Sequence, residues 1–181
     1  MPPSIRRTRP SVIERLIAQP QDFSFVQAVR LLERASVFEN QMDATHADHP
    51  VAKFSPPSKE AMRFANNSSL GFPSTEISRI SHELQGSNKR WKLAINFLGL
   101  TGAMGVMPFH YTEMMLQRLK EKDTAFAEFL NFFNHRTTSL FFQASAKYRL
   151  PLEYERSKLH QANKTKVCTH TQALLSFLGM G

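Results

Sequence analysis

Cysteine is almost missing from this chain. A single Cys168 among 181 residues excludes an internal disulfide, and a lone thiol in an apolar stretch is expected to serve as a small buried hydrophobe. The compartment expected for such a chain is the cytoplasm. No uninterrupted apolar run approaches the ~20 residues that span a bilayer, so no direct membrane insertion is expected. The basic start, Arg6, Arg7 and Arg9, is followed by no apolar segment of the kind a signal peptide carries. Polar aromatics are scarce as well: three Tyr and one Trp stand beside fifteen Phe. Phe has no polar handle, so this choice favours dry packing. Acids are also in the minority, with 15 Asp and Glu against 23 Lys and Arg and a net charge of +8. That balance permits contact with nucleic acid, anionic lipid or an acidic protein.

Catalytic signatures are missing too. There is no Gly-x-Ser-x-Gly, no His-Glu-x-x-His, no cysteine in a nucleophile setting and no carboxylate pair that would flank a cleft. His46 and His49 are three apart, and His160 and His170 stand far apart; neither pair has further ligands at metal-site spacing. Gly99, Gly102 and Gly105 recur every three residues between an apolar run and a helix, where phosphate loops also lie. They lack the G-x-G opening of a dinucleotide site and the Lys-Ser/Thr of a P-loop. The expected role is a tight turn needing positive φ or close backbone approach. Pro108 presets the helix that starts near His110, with Tyr111 and Glu113 in its first turn. No enzyme activity, metal or cofactor is expected.

What is present reads as a mainly helical α+β protein with a small antiparallel sheet over residues ~60–98 and a long Phe-rich helix over ~123–149. Residues 1–10 read as a disordered basic arm. Ser11 and Glu14 form a capping box for a short helix to about Ala18. A second helix, capped by Asp22 or Ser24, carries Phe25, Val29 and Leu32 on one face, completing N-terminal helices over 11–40. Residues 41–59, with Pro50, Pro56 and Pro57, read as a loop. Within a β region over 60–109, Met62 and Phe64 alternate with polar residues and predict a hairpin with Leu70 and Phe72. Trp91, Leu93, Ile95 and Phe97 predict a further strand, preceded by a turn over Gln85 to Lys89.

From 110 to 181 the chain reads as helical. Asp123 is expected to cap the long helix, on which Phe126, Phe129, Phe133, Leu140 and Phe141 recur at spacings of three and four. Phe132 and Phe142 fall off that stripe, which predicts burial on more than one side. Pro151 is expected to end this helix, and an apolar helix over Val167 to Leu178 follows. The run Asn134-His135-Arg136 lies inside the Phe-rich helix. His135 could serve as a base oriented by Glu113 or Asp123. The reading preferred is structural: a polar trio satisfying buried carbonyls or a carboxylate, with Arg136 as the main anchor through its forked donors. Residues 147–166 carry six Lys or Arg against Glu153 and Glu155.

Four ordered runs point to a family. They are Glu60-Ala-Met-Arg63-Phe64; Ser69-Leu70-Gly-Phe72-Pro73 through Ile77; Phe97 through Glu113; and Phe129-Leu130-Asn-Phe-Phe133-Asn134-His135-Arg136. Together they resemble the TssG (ImpH/VasB) family, a baseplate subunit of the bacterial type VI secretion system. Met107, Phe109 and Asn131 depart from the family pattern; Asn131 stands where an Asp is usual. The match covers roughly the family's front half and implies a further C-terminal part. The resemblance implies a cytoplasmic structural subunit docked at the inner-membrane face through the baseplate. It implies a hetero-oligomer that forms a wedge with TssF and contacts TssK and other components near the spike hub, with no nucleic acid bound. The alternative, resting on the net charge alone, is a basic nucleic-acid-binding module.

Overall fold

The computed structural model of the chain describes residues 11–42, 49–53, 56, 58–85, 88–159 and 169–180. The expected basic arm, much of the Pro-rich loop, Cys168 and the histidines at 46 and 160 lie outside the described residues. The helices are α1 (Val12–Ala18), α2 (Phe25–Met42), α3 (Phe109–Lys120), α4 (Ala125–Ala146), α5 (Leu150–Leu159) and α6 (Thr169–Phe177). The strands are β1 (Met62–Asn66), β2 (Ile77–Gln85) and β3 (Asn88–Ile95). The mainly helical α+β class holds.

Local chemistry accounts for the helix starts. Ser11 Oγ accepts the Glu14 N–H at 3.2 Å while the Glu14 carboxylate accepts the Ser11 N–H at 2.7 Å, the reciprocal box expected. Before α4, the Asp123 carboxylate accepts the Ala125 N–H at 3.0 Å, although Thr124 occupies the capping position itself. The start of α2 is held from far away: Glu76 accepts the Phe25 N–H at 2.6 Å, placing a carboxylate at the positive end of the helix.

The sheet departs from expectation in two ways. Its order is β1-β3-β2, with β3 antiparallel to β2 but parallel to β1, so it is mixed rather than antiparallel. The hairpin is β2–β3, not a pairing of Met62 and Phe64 with Leu70 and Phe72. Phe72 is 86% exposed, and the backbone around it is committed to loop contacts. Ser69 C=O accepts the Ala103 N–H at 3.0 Å, Ser69 Oγ accepts the Gly71 N–H at 3.1 Å, and Pro73 has no N–H to donate.

The core lies between α1, α2 and one face of the sheet. It contains Leu16, Phe25, Val29, Leu32, Phe64, Leu93 and Ile95, joined by Phe142 from α4 and Leu152 from α5. The Phe25 ring meets Phe64 at 5.5 Å and Phe97 at 5.1 Å. Pro151 does not end α4, which stops at Ala146; it sits in the first turn of α5, where its missing N–H leaves no bond unmade. Nor is α4 buried on several sides. Its buried residues, Leu130, Asn134, His135, Thr138, Ser139, Phe142 and Ala146, form one face.

Candidate interaction surface

β1 is an edge strand. Ala61 C=O accepts from Trp91 N–H at 3.1 Å and Asn67 N–H donates to Ile95 C=O at 3.0 Å, so in the parallel ladder residues 61, 63, 65 and 67 face β3. The N–H groups of Phe64 and Asn66 therefore point to the open edge, where unpaired donors invite another strand. Here α4 closes the edge with side chains. His135 Nδ1 accepts the Phe64 N–H at 3.1 Å, and Asn131 Oδ1 accepts the Asn66 N–H at 3.1 Å. The match is geometric: four helical residues rise about 6 Å, and two strand residues advance about 6.6 Å.

The same imidazole donates from Nε2 to the Glu60 carboxylate at 2.6 Å. Accepting a backbone N–H at Nδ1 fixes the tautomer with its proton on Nε2. Both ring nitrogens are thus occupied by structure, and neither is open to a substrate. One residue earlier, Asn134 Oδ1 accepts the Leu100 N–H at 3.0 Å, tying α4 to the glycine loop.

The glycine loop folds tightly onto β1 and α3. Gly102 has φ of +97°, a backbone state that side chains disfavour. A Cβ at Gly105 would lie 2.6 Å from the Thr101 carbonyl carbon, and one at Gly99 would collide with the Asn66 amide. Asn66 in turn donates to Thr101 C=O, and Thr112 of α3 accepts the Gly102 N–H at 3.2 Å. A cavity of about 490 Å³ opens above this loop, lined by Asn66, Asn67, Ser69, Thr75, Gly99 and Gly102 among others, with no Lys or Arg in its wall. Such a wall offers no counter-charge to a phosphate. Among the described residues no group of three or more His, Cys, Asp or Glu is placed to hold a metal.

A second buried hub joins α2 to α5. Arg156 donates from Nε and Nη2 to the Glu33 carboxylate, both at 2.9 Å, and from Nη2 to Val51 C=O at 2.7 Å. Glu33 also accepts the Val51 N–H at 3.1 Å, and the guanidinium lies 5.0 Å from the centre of the Phe142 ring. Burial pushes the Glu33 carboxyl above its ordinary range, against the pull of Arg156 and the Val51 N–H.

The other expected residues lie at the surface. Pro108 is the N-cap of α3, while His110 and Glu113 are exposed and Tyr111 is half-buried. His135 and Glu113 form no base–orienter pair: the carboxylate on His135 is Glu60. Arg136 is not the anchor expected. It is exposed and makes no hydrogen bond or ion pair among the described residues; Glu76 instead holds α2. Phe141 leans on Phe97 at 5.4 Å. Phe129, Phe132 and Phe133 are 59%, 60% and 45% exposed. At about 100° per residue, Phe129, Phe133 and Leu140 fall roughly opposite His135 and Thr138. The usual arrangement is inverted on α4: its polar side chains face in to satisfy the sheet edge, and its Phe side chains face out. Phe133 meets Phe129 at 5.2 Å and Phe132 at 5.6 Å, both edge to face, an exposed aromatic cluster.

The residues that sequence reasoning missed are Glu60 as the partner of His135, Asn131, Thr112, and the Glu33–Arg156 pair. Asn131, Asn134 and His135 stand at i, i+3 and i+4, one helical face, so the stripe was visible in the sequence. The partners it serves were not.

A family model described as type VI secretion, TssG, matches residues 19–181. The chain belongs to the TssG family. No curated protein and no solved structure gives a match. Family membership makes this TssG chain a component of the type VI secretion baseplate, as the four sequence runs implied. The glycine loop, the Asn-His-Arg run and the outward Phe cluster all lie within the matched residues. No described helix of this TssG chain is long and apolar enough to cross a membrane. Its basic cluster around Lys89 is no open cationic face either, because Glu83 pairs with Arg90 at 2.8 Å and Lys92 at 3.0 Å.

Proposed function

We propose that this chain is a non-catalytic structural subunit that forms a wedge with TssF, links to TssK, and works near the spike hub at the cytoplasmic face of the inner membrane. The observation that carries the reading is the outward Phe face of α4. Contiguous exposed apolar surface on a folded chain marks a protein interface, and a baseplate subunit is a protein whose work is to be covered by neighbours. In this reading Gly99, Gly102, Gly105, Pro108, Asn134 and His135 hold the shape, while Phe129, Phe133 and Arg136 make contacts. Further support comes from His135, whose two nitrogens both hold the fold together, and from the uncharged wall above the glycine loop.

Co-expression of the tagged chain with TssF, followed by size-exclusion chromatography, tests the reading. A single co-eluting species, with the chain aggregating when expressed alone, is the expected result. A monodisperse, cooperatively melting monomer that ignores TssF would contradict it.

A further inference from the structure

The outward face of α4 has a spacing as well as a composition. Phe126, Phe129, Phe133, Arg136 and Leu140 follow one another at intervals of three, four, three and four. That is the seam of a left-handed helix pair, about 21 Å long at 1.5 Å per residue. Phe126 is half-buried, and Phe129, Phe133 and Leu140 are exposed. A helix ridge offers side chains only, since its backbone groups are already paired, so an added strand gains nothing here and a second helix fits best.

Arg136 decides which helix. It stands at one seam position, exposed and without a hydrogen bond or ion pair among the described residues. Covering the seam would bury its charge, which is costly unless a carboxylate meets it. A second copy of this chain supplies none there. Glu128 is the one acid of α4, it lies off the seam, and it already sits 3.8 Å from Lys92. The segment 169–180, which contains α6, holds no acid at all. Two copies would also meet with a net charge of +8 each.

We propose that the α4 seam is the docking site for a helix of a different protein. That helix presents apolar side chains at the same three-four spacing and one Asp or Glu opposite Arg136. The carboxylate sets the register, as a single polar seam residue does in paired helices, and discriminates against self-association. The inference rests on the wedge reading for the identity of the partner but not for the chemistry of the seam.

The test measures binding of purified TssF to the full chain by biolayer interferometry, for wild type, Arg136→Glu, Arg136→Lys and the double variant Phe129→Ala/Phe133→Ala. Each variant is checked for an unchanged melting temperature, since these side chains are exposed. The expected result is a loss of at least about tenfold for Arg136→Glu and for the double variant, with partial retention by Arg136→Lys. Should wild type and all variants bind TssF equally, the seam is not the site. Should wild type ignore TssF, the same series is run against each other purified baseplate subunit. Binding of one of them that Arg136→Glu abolishes keeps the seam and sinks the TssF wedge; binding of none overturns the proposal. A wild-type dimer in light scattering that Phe129→Ala/Phe133→Ala dissolves would assign the seam to a second copy and overturn it equally.

Discussion

At the scale of the residue, two buried polar hubs carry the specificity of the fold. His135 holds a strand N–H and a carboxylate at once. Replacing it with Ala leaves the Glu60 carboxylate buried without its partner and the Phe64 N–H unpaired. We expect a loss of about 3 kcal/mol, read by urea unfolding, while Arg136→Ala changes stability by less than about 0.5 kcal/mol. Equal effects would mean that the two neighbours have been assigned the wrong roles. Arg156→Met strands Glu33 in the core and should cost about 3–5 kcal/mol. Adding Glu33→Leu should restore much of that, because removing both partners also removes the desolvation burden; a purely additive double variant would show that the pair is not coupled. Arg136 was the expected anchor because a guanidinium among Phe side chains looks buried on paper. The sequence cannot say that those Phe side chains face outward.

At the scale of the element, α4 shows where sequence reading ends. Its length, its cap near Asp123 and its Phe content were legible, because three-four periodicity and an Asx start are local signals. Which face turns inward was not, because that depends on β1 presenting the Phe64 and Asn66 N–H groups to it. The loss of energy should follow the observed faces. Phe142→Ala, at 0% exposure, is expected to cost about 3–5 kcal/mol, and Phe132→Ala, at 60% exposure, less than about 0.5 kcal/mol. β2 escaped the sequence reading for a different reason. Ile77 and Ile80 are both buried three residues apart, and a register shift between Ile77 and Arg79 absorbs the odd residue, which breaks the alternation that announces a strand.

The hairpin β2–β3 carries a pH signature. Burial alone would raise the Glu83 carboxyl, but hydrogen bonds from Lys92 and Arg90 outweigh it and hold the group below its ordinary value of 4.5. A depressed folded value means that its stabilisation is fully present above about pH 4.5 and is lost as pH falls through the folded value. Thermal melts from pH 7 to pH 3 should therefore show a steeper acid loss for wild type than for Glu83→Gln. Parallel curves would remove Glu83 from the account.

At the scale of the whole molecule, the chain is built from the inside out in an unusual sense. The sheet is small, its outer edge is sealed by polar side chains of a helix, and that helix offers its aromatic side to whatever lies beyond. Sealing the edge removes strand addition as a route of assembly, and exposing the aromatics supplies another. The family was legible in four short runs of sequence, and the structure explains why those runs hold together: β1, the glycine loop and the Asn134–His135 pair are one hydrogen-bonded unit. The central claim is that the Phe face of α4 is an interface. Hydroxyl-radical footprinting of Phe129, Phe132 and Phe133, in the free chain and in the co-purified TssF complex, tests it most directly. The account predicts strong modification of all three rings in the free chain and clear protection in the complex. Equal modification in both states would contradict it.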